Sequence, residues 1–182
     1  MNKNIPNIIT ISRIILIPIF LYFIVSAYIV YPADLFQTII GLIIFIILAI
    51  TDKFDGFLAR KYNIISPLGK ILDPVADKCL MLSALLVLVA FNRLNFIIVI
   101  ILILREVLIT IYRLFYIRQS NIIIAADNWG KIKTVLFFII CPITFLPVIP
   151  QVVNNILFIP VVLVSLYSFI VYLTKSKVPN VK

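Results

Sequence analysis

Six long apolar runs, separated by short breaks of proline, asparagine and charged residues, constrain this chain more than any other feature. They cover about Ile11–Ile29, Leu35–Ala59, Gly69–Phe91, Leu94–Tyr116, Lys133–Ile149 and Val152–Leu173. A helix needs roughly 20 mostly apolar residues to cross a bilayer. Hydrophobic residues make up 64% of the 182 positions, more apolar surface than a soluble domain of this size can hide. The expected fold is an all-α integral membrane bundle of six transmembrane helices, forming a single domain over residues 1–182. The stretch from Ile14 to Tyr31 is long and no small-x-small cleavage site follows, so it is expected to be the first span and not a cleaved signal peptide.

The breaks fix the connections and the cations fix the orientation. Tyr31-Pro32-Ala33-Asp34 separates the first two runs, Tyr62 to Pro67 joins the second and third, and Asn92-Arg93 makes a short hairpin loop. Pro147 and Pro150 bracket the last turn. Short turns leave neighbouring helices antiparallel, with every backbone group paired inside a helix. Of the 16 lysines and arginines, only Arg93 falls on the face that holds Pro32, Asn92 and Pro150. The positive-inside rule then places both termini in the cytoplasm. A net charge of +9 also suits an anionic lipid surface. Nucleic acid is a poor partner, because no soluble basic domain exists to hold it.

Only seven residues are acidic, and four of them lie within 26 positions: Asp52, Asp55, Asp73 and Asp77. Carboxylates at the edge of a bilayer are costly and mark function. Asp52 falls about 25 Å along the second helix, while Asp73 and Asp77 fall roughly 6 and 12 Å along the returning third helix. Both pairs therefore sit at one depth, in the cytoplasmic half of the membrane. Spacings of i, i+3 and i, i+4 put each pair on one helix face. Four converging carboxylates repel one another unless cations neutralise them, and hard divalent cations take oxygen ligands. The chain has no histidine, so metal binding and proton transfer must use carboxylates. Gly56, Ala59 and Gly69 lie close to the acidic pairs and allow a helix or ligand to approach the backbone. Cys79 and Cys141 have no metal-ligand spacing and are expected to be small core residues.

The full pattern Asp52-x2-Asp55-Gly56-x2-Ala59-Arg60-x8-Gly69-x3-Asp73-x3-Asp77 resembles the signature of the CDP-alcohol phosphatidyltransferases at all eight fixed positions. The resemblance implies a six-helix membrane fold, a homodimer, and transfer of a phosphatidyl-type group from a CDP-linked donor to an alcohol with release of CMP. Asn4-Ile5-Pro6-Asn7-Ile8-Ile9-Thr10-Ile11-Ser12-Arg13 and Leu72-Asp73-Pro74-Val75-Ala76-Asp77-Lys78 are similar to the bacterial members whose donor is CDP-diacylglycerol and whose acceptor is sn-glycerol 3-phosphate. Arg105-Glu106 with Arg113, and Gly130-Lys131-Ile132-Lys133-Thr134, are similar to the same members. Phe137 is a departure, since a glutamine is expected there. The last span matches nothing specific. Such a protein belongs in the bacterial cell membrane, with its site facing the cytoplasm.

The resemblance implies that Asp52, Asp55 and Asp73 hold one or two Mg²⁺ or Mn²⁺ ions. It also implies that Asp77 would take the proton from the attacking hydroxyl and be a further metal ligand. Arg60, always charged and fork-shaped, suits the donor diphosphate. Gly56, Ala59, Ser66 and Gly69 would form the floor under the cytidine and ribose, and Asn7, Thr10 and Arg13 would close that pocket from the first helix. An acceptor that carries phosphate needs cations of its own, and Arg105, Arg113, Arg118, Lys131 and Lys133 are the candidates. Arg105 lies about 17 Å into the fourth span and needs a partner. Its sequence neighbour Glu106 points elsewhere on a helix and is not the expected one. The alternative for the others is snorkelling to lipid phosphates.

Other readings differ in class. Intramembrane carboxylates also line cation pathways, but a transporter would place them near the midplane on broken, repeat-related helices, and no repeat is evident. Within the transferase reading, serine or phosphatidylglycerol are the competing acceptors. The basic segments favour glycerol 3-phosphate.

Overall fold

The computed structural model describes the backbone of residues 5–29, 33–61, 67–120 and 128–177, and the side chains of residues 15–29, 33–51, 78–112 and 128–174. Among the described residues there are six helices and no strand: α1 (Ile5–Ile29), α2 (Leu35–Lys61), α3 (Pro67–Ala90), α4 (Phe96–Ser120), α5 (Asn128–Thr144) and α6 (Gln151–Lys177). The count and order agree with the six apolar runs. One described segment, Gln151–Thr174, is long and apolar enough to cross a membrane, and the described apolar parts of α1, α2 and α3 are shorter.

The helix ends follow from local chemistry. Asp34 caps α2: its Oδ1 accepts from the backbone N–H of Phe36 at 2.9 Å, and its carbonyl accepts from Thr38 N–H at 3.0 Å. Asn95 caps α4 in the same way, accepting from Ile97 N–H at 2.8 Å. Between α3 and α4, Asn92 has φ 53°, a left-handed conformation that asparagine tolerates better than most residues. Pro67 opens α3, where its missing N–H costs nothing.

The fifth helix is shifted from its expected place. It runs over Asn128–Thr144, five residues earlier at both ends than Lys133–Ile149. Polar Asn128, Gly130 and Lys131 fall inside it because a helix needs paired backbone groups, not an apolar side chain at every position. It stops early because Pro147 disfavours helical geometry in the residue before it. The chain instead tightens, with Phe145 N–H donating to Pro142 O and Leu146 N–H to Ile143 O, at 3.2 and 3.1 Å.

The contacts divide the chain into two compact units, one of Met1–Phe91 with Pro142–Val148, the other of Asn92–Cys141 with Ile149–Lys182. In the first unit, α1 packs on α2 and α3. Its centre is a triad of buried rings, Phe20, Phe45 and Phe145. Their centroids lie 5.4 Å (Phe20–Phe45), 5.8 Å (Phe20–Phe145) and 6.4 Å (Phe45–Phe145) apart, in tilted or edge-on arrangements. The Tyr28 hydroxyl donates to the Phe145 carbonyl. Gly41 lets α1 and α2 approach: a Cβ there would lie 2.6 Å from Ile24 Cδ1 and 2.7 Å from Ile24 Cγ1.

In the second unit, α4 packs on α6. The two loops of this unit are tied together by side chains. Arg93 donates to Ile149 O at 2.5 Å, Asn154 Nδ2 donates to Arg93 O at 3.0 Å, and Asn95 N–H donates to Asn155 Oδ1 at 2.9 Å. Phe137 is buried, edge-on to Phe158 with centroids 6.2 Å apart, so this departure from the family pattern fills an apolar core. Cys141 is buried as expected, but Cys79 is exposed. The expectation for Cys79 fails because an apolar run gives no inner face: lipid and core accept the same residues.

The close approach at Gly41 generates a stability prediction. Gly41→Ala is expected to destabilise the protein by about 1–3 kcal/mol through overpacking. Combined with Ile24→Ala it should cost less than the two single changes added, a coupling of about 0.5–3 kcal/mol. Thermal unfolding of the four forms in one detergent measures this; strictly additive effects would show that the α1–α2 contact does not depend on Gly41.

Candidate functional site

The described part of the site is a cluster of charges in the second unit. α4 supplies Arg105 and Glu106, α5 supplies Lys133, and α6 supplies Ser165 and Ser168. Arg105 is 7% exposed and Lys133 3%, while the Glu106 side chain is 15% exposed. Burying a charge is costly unless it is paired and hydrogen-bonded, and here each charge is. Arg105 Nη1 donates to Glu106 Oε1 at 2.6 Å. Lys133 Nζ donates to the same oxygen. Arg105 Nη2 donates to Ser168 Oγ at 2.7 Å, and Nε to the Ser165 carbonyl at 3.3 Å. One carboxylate oxygen thus joins two cations from two helices, and the third helix holds the far edge of the guanidinium. Ser168 Oγ also lies 3.6 Å from where a Cβ on Gly130 would stand, so the start of α5 comes close to α6 here. Trp129 and Tyr167 flank this point, edge-on at 4.7 Å between centroids.

This arrangement corrects one expectation. Glu106 is the partner of Arg105, although adjacent helical residues do not face each other. The guanidinium sits on a long flexible stem, and the attraction is strong in an interior of low dielectric. Lys133 is likewise not snorkelling: it is buried on Glu106. Sequence reasoning missed Glu106, Ser165 and Ser168. The signal for Glu106 was present, since a lone acid inside an apolar run next to a buried arginine must be neutralised. Nothing in the sequence pointed to the two serines.

Among the predicted acceptor-binding residues, Arg105 and Lys133 are brought together. Lys131 is exposed, two residues from Lys133 and so on another face of α5. Arg113 and Arg118 fall within the range of α4, but their side chains lie outside the described residues. The same holds for the side chains of Asn7, Thr10 and Arg13 in α1, of Asp52, Asp55, Gly56, Ala59 and Arg60 in α2, and of Gly69, Asp73 and Asp77 in α3. Ser66 lies outside them altogether. Backbone ranges do place Asp52 and Asp55 within one continuous helix, and Asp73 and Asp77 within the next. Among the described residues no group of three or more potential metal ligands occurs.

A family model for CDP-alcohol phosphatidyltransferase matches residues 3–172. The chain belongs to this family. It is 40% identical over 137 residues to a CDP-diacylglycerol–glycerol-3-phosphate 3-phosphatidyltransferase of Bacillus subtilis, covering 72% of this chain and 70% of that protein. It is 33% identical over 135 residues to the Rickettsia felis protein of the same name, covering 74% and 71%. A probable phosphatidylglycerophosphate synthase of Mycobacterium tuberculosis is 35% identical over 131 residues, covering 72% of this chain and 60% of that protein.

The two serines of α6 should differ in their effect on stability. Ser168→Ala removes a hydrogen bond to a buried charge and is expected to cost about 1.5–3 kcal/mol. Ser165 holds Arg105 by its backbone, and its buried hydroxyl has no hydrogen-bond partner among the described residues. Ser165→Ala is therefore expected to stay within about 0.5 kcal/mol of the parent or to stabilise it. Unfolding midpoints of both variants in detergent give the comparison, and equal losses would contradict the network.

Proposed function

We propose that this chain transfers the phosphatidyl group from CDP-diacylglycerol to sn-glycerol 3-phosphate, giving phosphatidylglycerol phosphate and CMP, a step of phospholipid biosynthesis. The observation that carries this reading is that one chain combines the family match over residues 3–172, the intact eight-position spacing, and 40% identity to a relative that bears this activity in its name. The buried pair of cations, Arg105 and Lys133, supports an anionic acceptor.

The reaction forms a bond from the acceptor hydroxyl oxygen to the phosphatidyl phosphorus and breaks the diphosphate bond to CMP. Asp77 takes the hydroxyl proton, which requires its carboxylate within hydrogen-bond reach of the acceptor. Arg60 pairs with the donor diphosphate and stabilises the charge that develops on the departing CMP. Gly56, Ala59, Ser66 and Gly69, with Asn7, Thr10 and Arg13, receive the cytidine and ribose. Arg105 and Lys133, with Arg113, Arg118 and Lys131, receive the acceptor phosphate. Asp52, Asp55, Asp73 and Asp77 offer only oxygen ligands, two carboxylates from each of two successive helices, a donor set that fits Mg²⁺ or Mn²⁺. One or two such ions, held by these aspartates, would supply Lewis-acid stabilisation of the charge that develops in the transfer.

On this reading the chain is a six-span homodimer of the bacterial cell membrane, with both termini and the site on the cytoplasmic side. For the membrane, support comes from the many large apolar side chains at the surface and the polar ones among those buried. Tyr22, Phe36, Leu163 and Ile170 are exposed, while Thr38, Asn154, Ser165 and Ser168 are buried. Soluble proteins rarely expose apolar surface on this scale.

The test is CMP release by the purified protein with CDP-diacylglycerol and Mg²⁺, with glycerol 3-phosphate, serine and phosphatidylglycerol offered separately. Release with glycerol 3-phosphate alone is expected. Asp77→Asn should lower kcat by about 100-fold or more, the scale of a lost general base, and chelation should abolish release until Mg²⁺ or Mn²⁺ is restored. Release with another acceptor would overturn the acceptor assignment and keep the reaction class.

A further inference from the structure

Two cations that share one oxygen atom form an unusual seat. Without the carboxylate, the Arg105 guanidinium and the Lys133 ammonium would repel each other and separate. With it, both heads are drawn to a single point, Glu106 Oε1, from two different helices. On its other edge the guanidinium is fixed by the Ser168 hydroxyl and the Ser165 carbonyl of α6. A guanidinium has five N–H bonds. Three are engaged by Glu106, Ser165 and Ser168, which leaves one on each terminal nitrogen without a partner among the described residues. A guanidinium can offer such N–H bonds to phosphate oxygens. Two cations and one carboxylate leave one net positive charge, while a phosphate monoester carries about −1.5 to −2 near neutral pH.

We propose that Glu106 is a positioning residue for the acceptor: it holds Arg105 and Lys133 together so that they receive the acceptor's phosphate as one preformed site. This rests on the reading that these two cations bind the acceptor phosphate. The opposite role would be that of a resident competitor, a carboxylate that must leave before phosphate can bind. The unengaged N–H bonds of Arg105 argue against it, since they are donors that Glu106 does not occupy.

The experiment compares Glu106→Gln, Glu106→Asp, Arg105→Gln and Lys133→Gln in the CMP-release assay, varying glycerol 3-phosphate and CDP-diacylglycerol in turn. Glutamine keeps the shape and a hydrogen-bond acceptor but removes the charge. Glu106→Gln is expected to raise KM for glycerol 3-phosphate about tenfold or more, with KM for CDP-diacylglycerol unchanged and kcat within about threefold. Glu106→Asp keeps the charge with a shorter reach and should give an intermediate acceptor KM; it also serves if the glutamine variant does not fold. A lowered acceptor KM in Glu106→Gln would identify a competitor and overturn the proposal. An equal effect on both substrates would mark a purely structural tie and also overturn it. If Arg105→Gln and Lys133→Gln raise the acceptor KM while the Glu106 variants do not, the positioning role alone falls. If neither cation variant changes it, the acceptor assignment falls and the positioning role with it.

Discussion

A charge in an apolar interior must be neutralised where it stands, and much of this chain's chemistry follows from that constraint. Arg105 and Lys133 are nearly inaccessible, yet neither is isolated, because one oxygen of Glu106 serves both. Removing one member of such a group is far more damaging than exchanging the whole group for apolar residues, because the remainder is left buried and uncompensated. The chain has few acids, and the two whose side chains are described each have a defined task. Glu106 bridges the cations, and Asp34 caps α2. On the proposed reading the four aspartates between positions 52 and 77 pose the same problem with the sign reversed, and divalent ions meet it.

The rule extends to uncharged polar groups. Hydroxyls in the helices turn back on their own backbone: Thr38 donates to Asp34 O at 2.8 Å, Thr51 to Ile47 O at 2.7 Å, Thr110 to Glu106 O at 2.7 Å and Thr134 to Gly130 O at 3.0 Å. Such i−4 bonds let a hydroxyl sit in an apolar environment without a neighbour. Ser168 departs from this habit by accepting from Arg105, so α6 takes part in the charged cluster. Asn95, Asn154 and Asn155 do for the loops what the hydroxyls do for the helices, linking the turn before α4 to the start of α6.

Much of the fold could be read from the sequence, because apolar run length and proline, asparagine and aspartate breaks act locally. Asp34, Asn92 and Pro147 interrupt the chain where their backbone chemistry requires it. The shift of α5 was hidden because a hydropathy boundary is not a hydrogen-bonding boundary. Asn128, Gly130 and Lys131 are not apolar yet are helical, while Phe145 to Ile149 include apolar residues and are not helical. The exposure of Cys79 was hidden for a related reason, since apolar positions facing lipid and those facing the core have one composition. Of the site, the residue types were legible and their partners were not. Arg105 and Lys133 stood out as cations in apolar runs. Their junction on Glu106 depends on side-chain reach between α4 and α5, which spacing along one helix does not encode.

The bridging carboxylate also bears on acceptor choice. Without Glu106, two buried cations would demand an anion at all times, and the apo state would be costly to fold. With Glu106, the group carries one net positive charge instead of two while the site is empty, and that charge remains to offer a ligand. A neutral alcohol would gain little from that charge and would leave it unpaired in a water-poor site. A zwitterionic acceptor such as serine would bring its own ammonium against two cations. A phosphate monoester gains the most, because its charge exceeds what Glu106 leaves uncompensated and its oxygens match the fork of Arg105. On the assignment proposed for these residues, the feature that lets two cations stay buried is also the one that favours a phosphorylated acceptor.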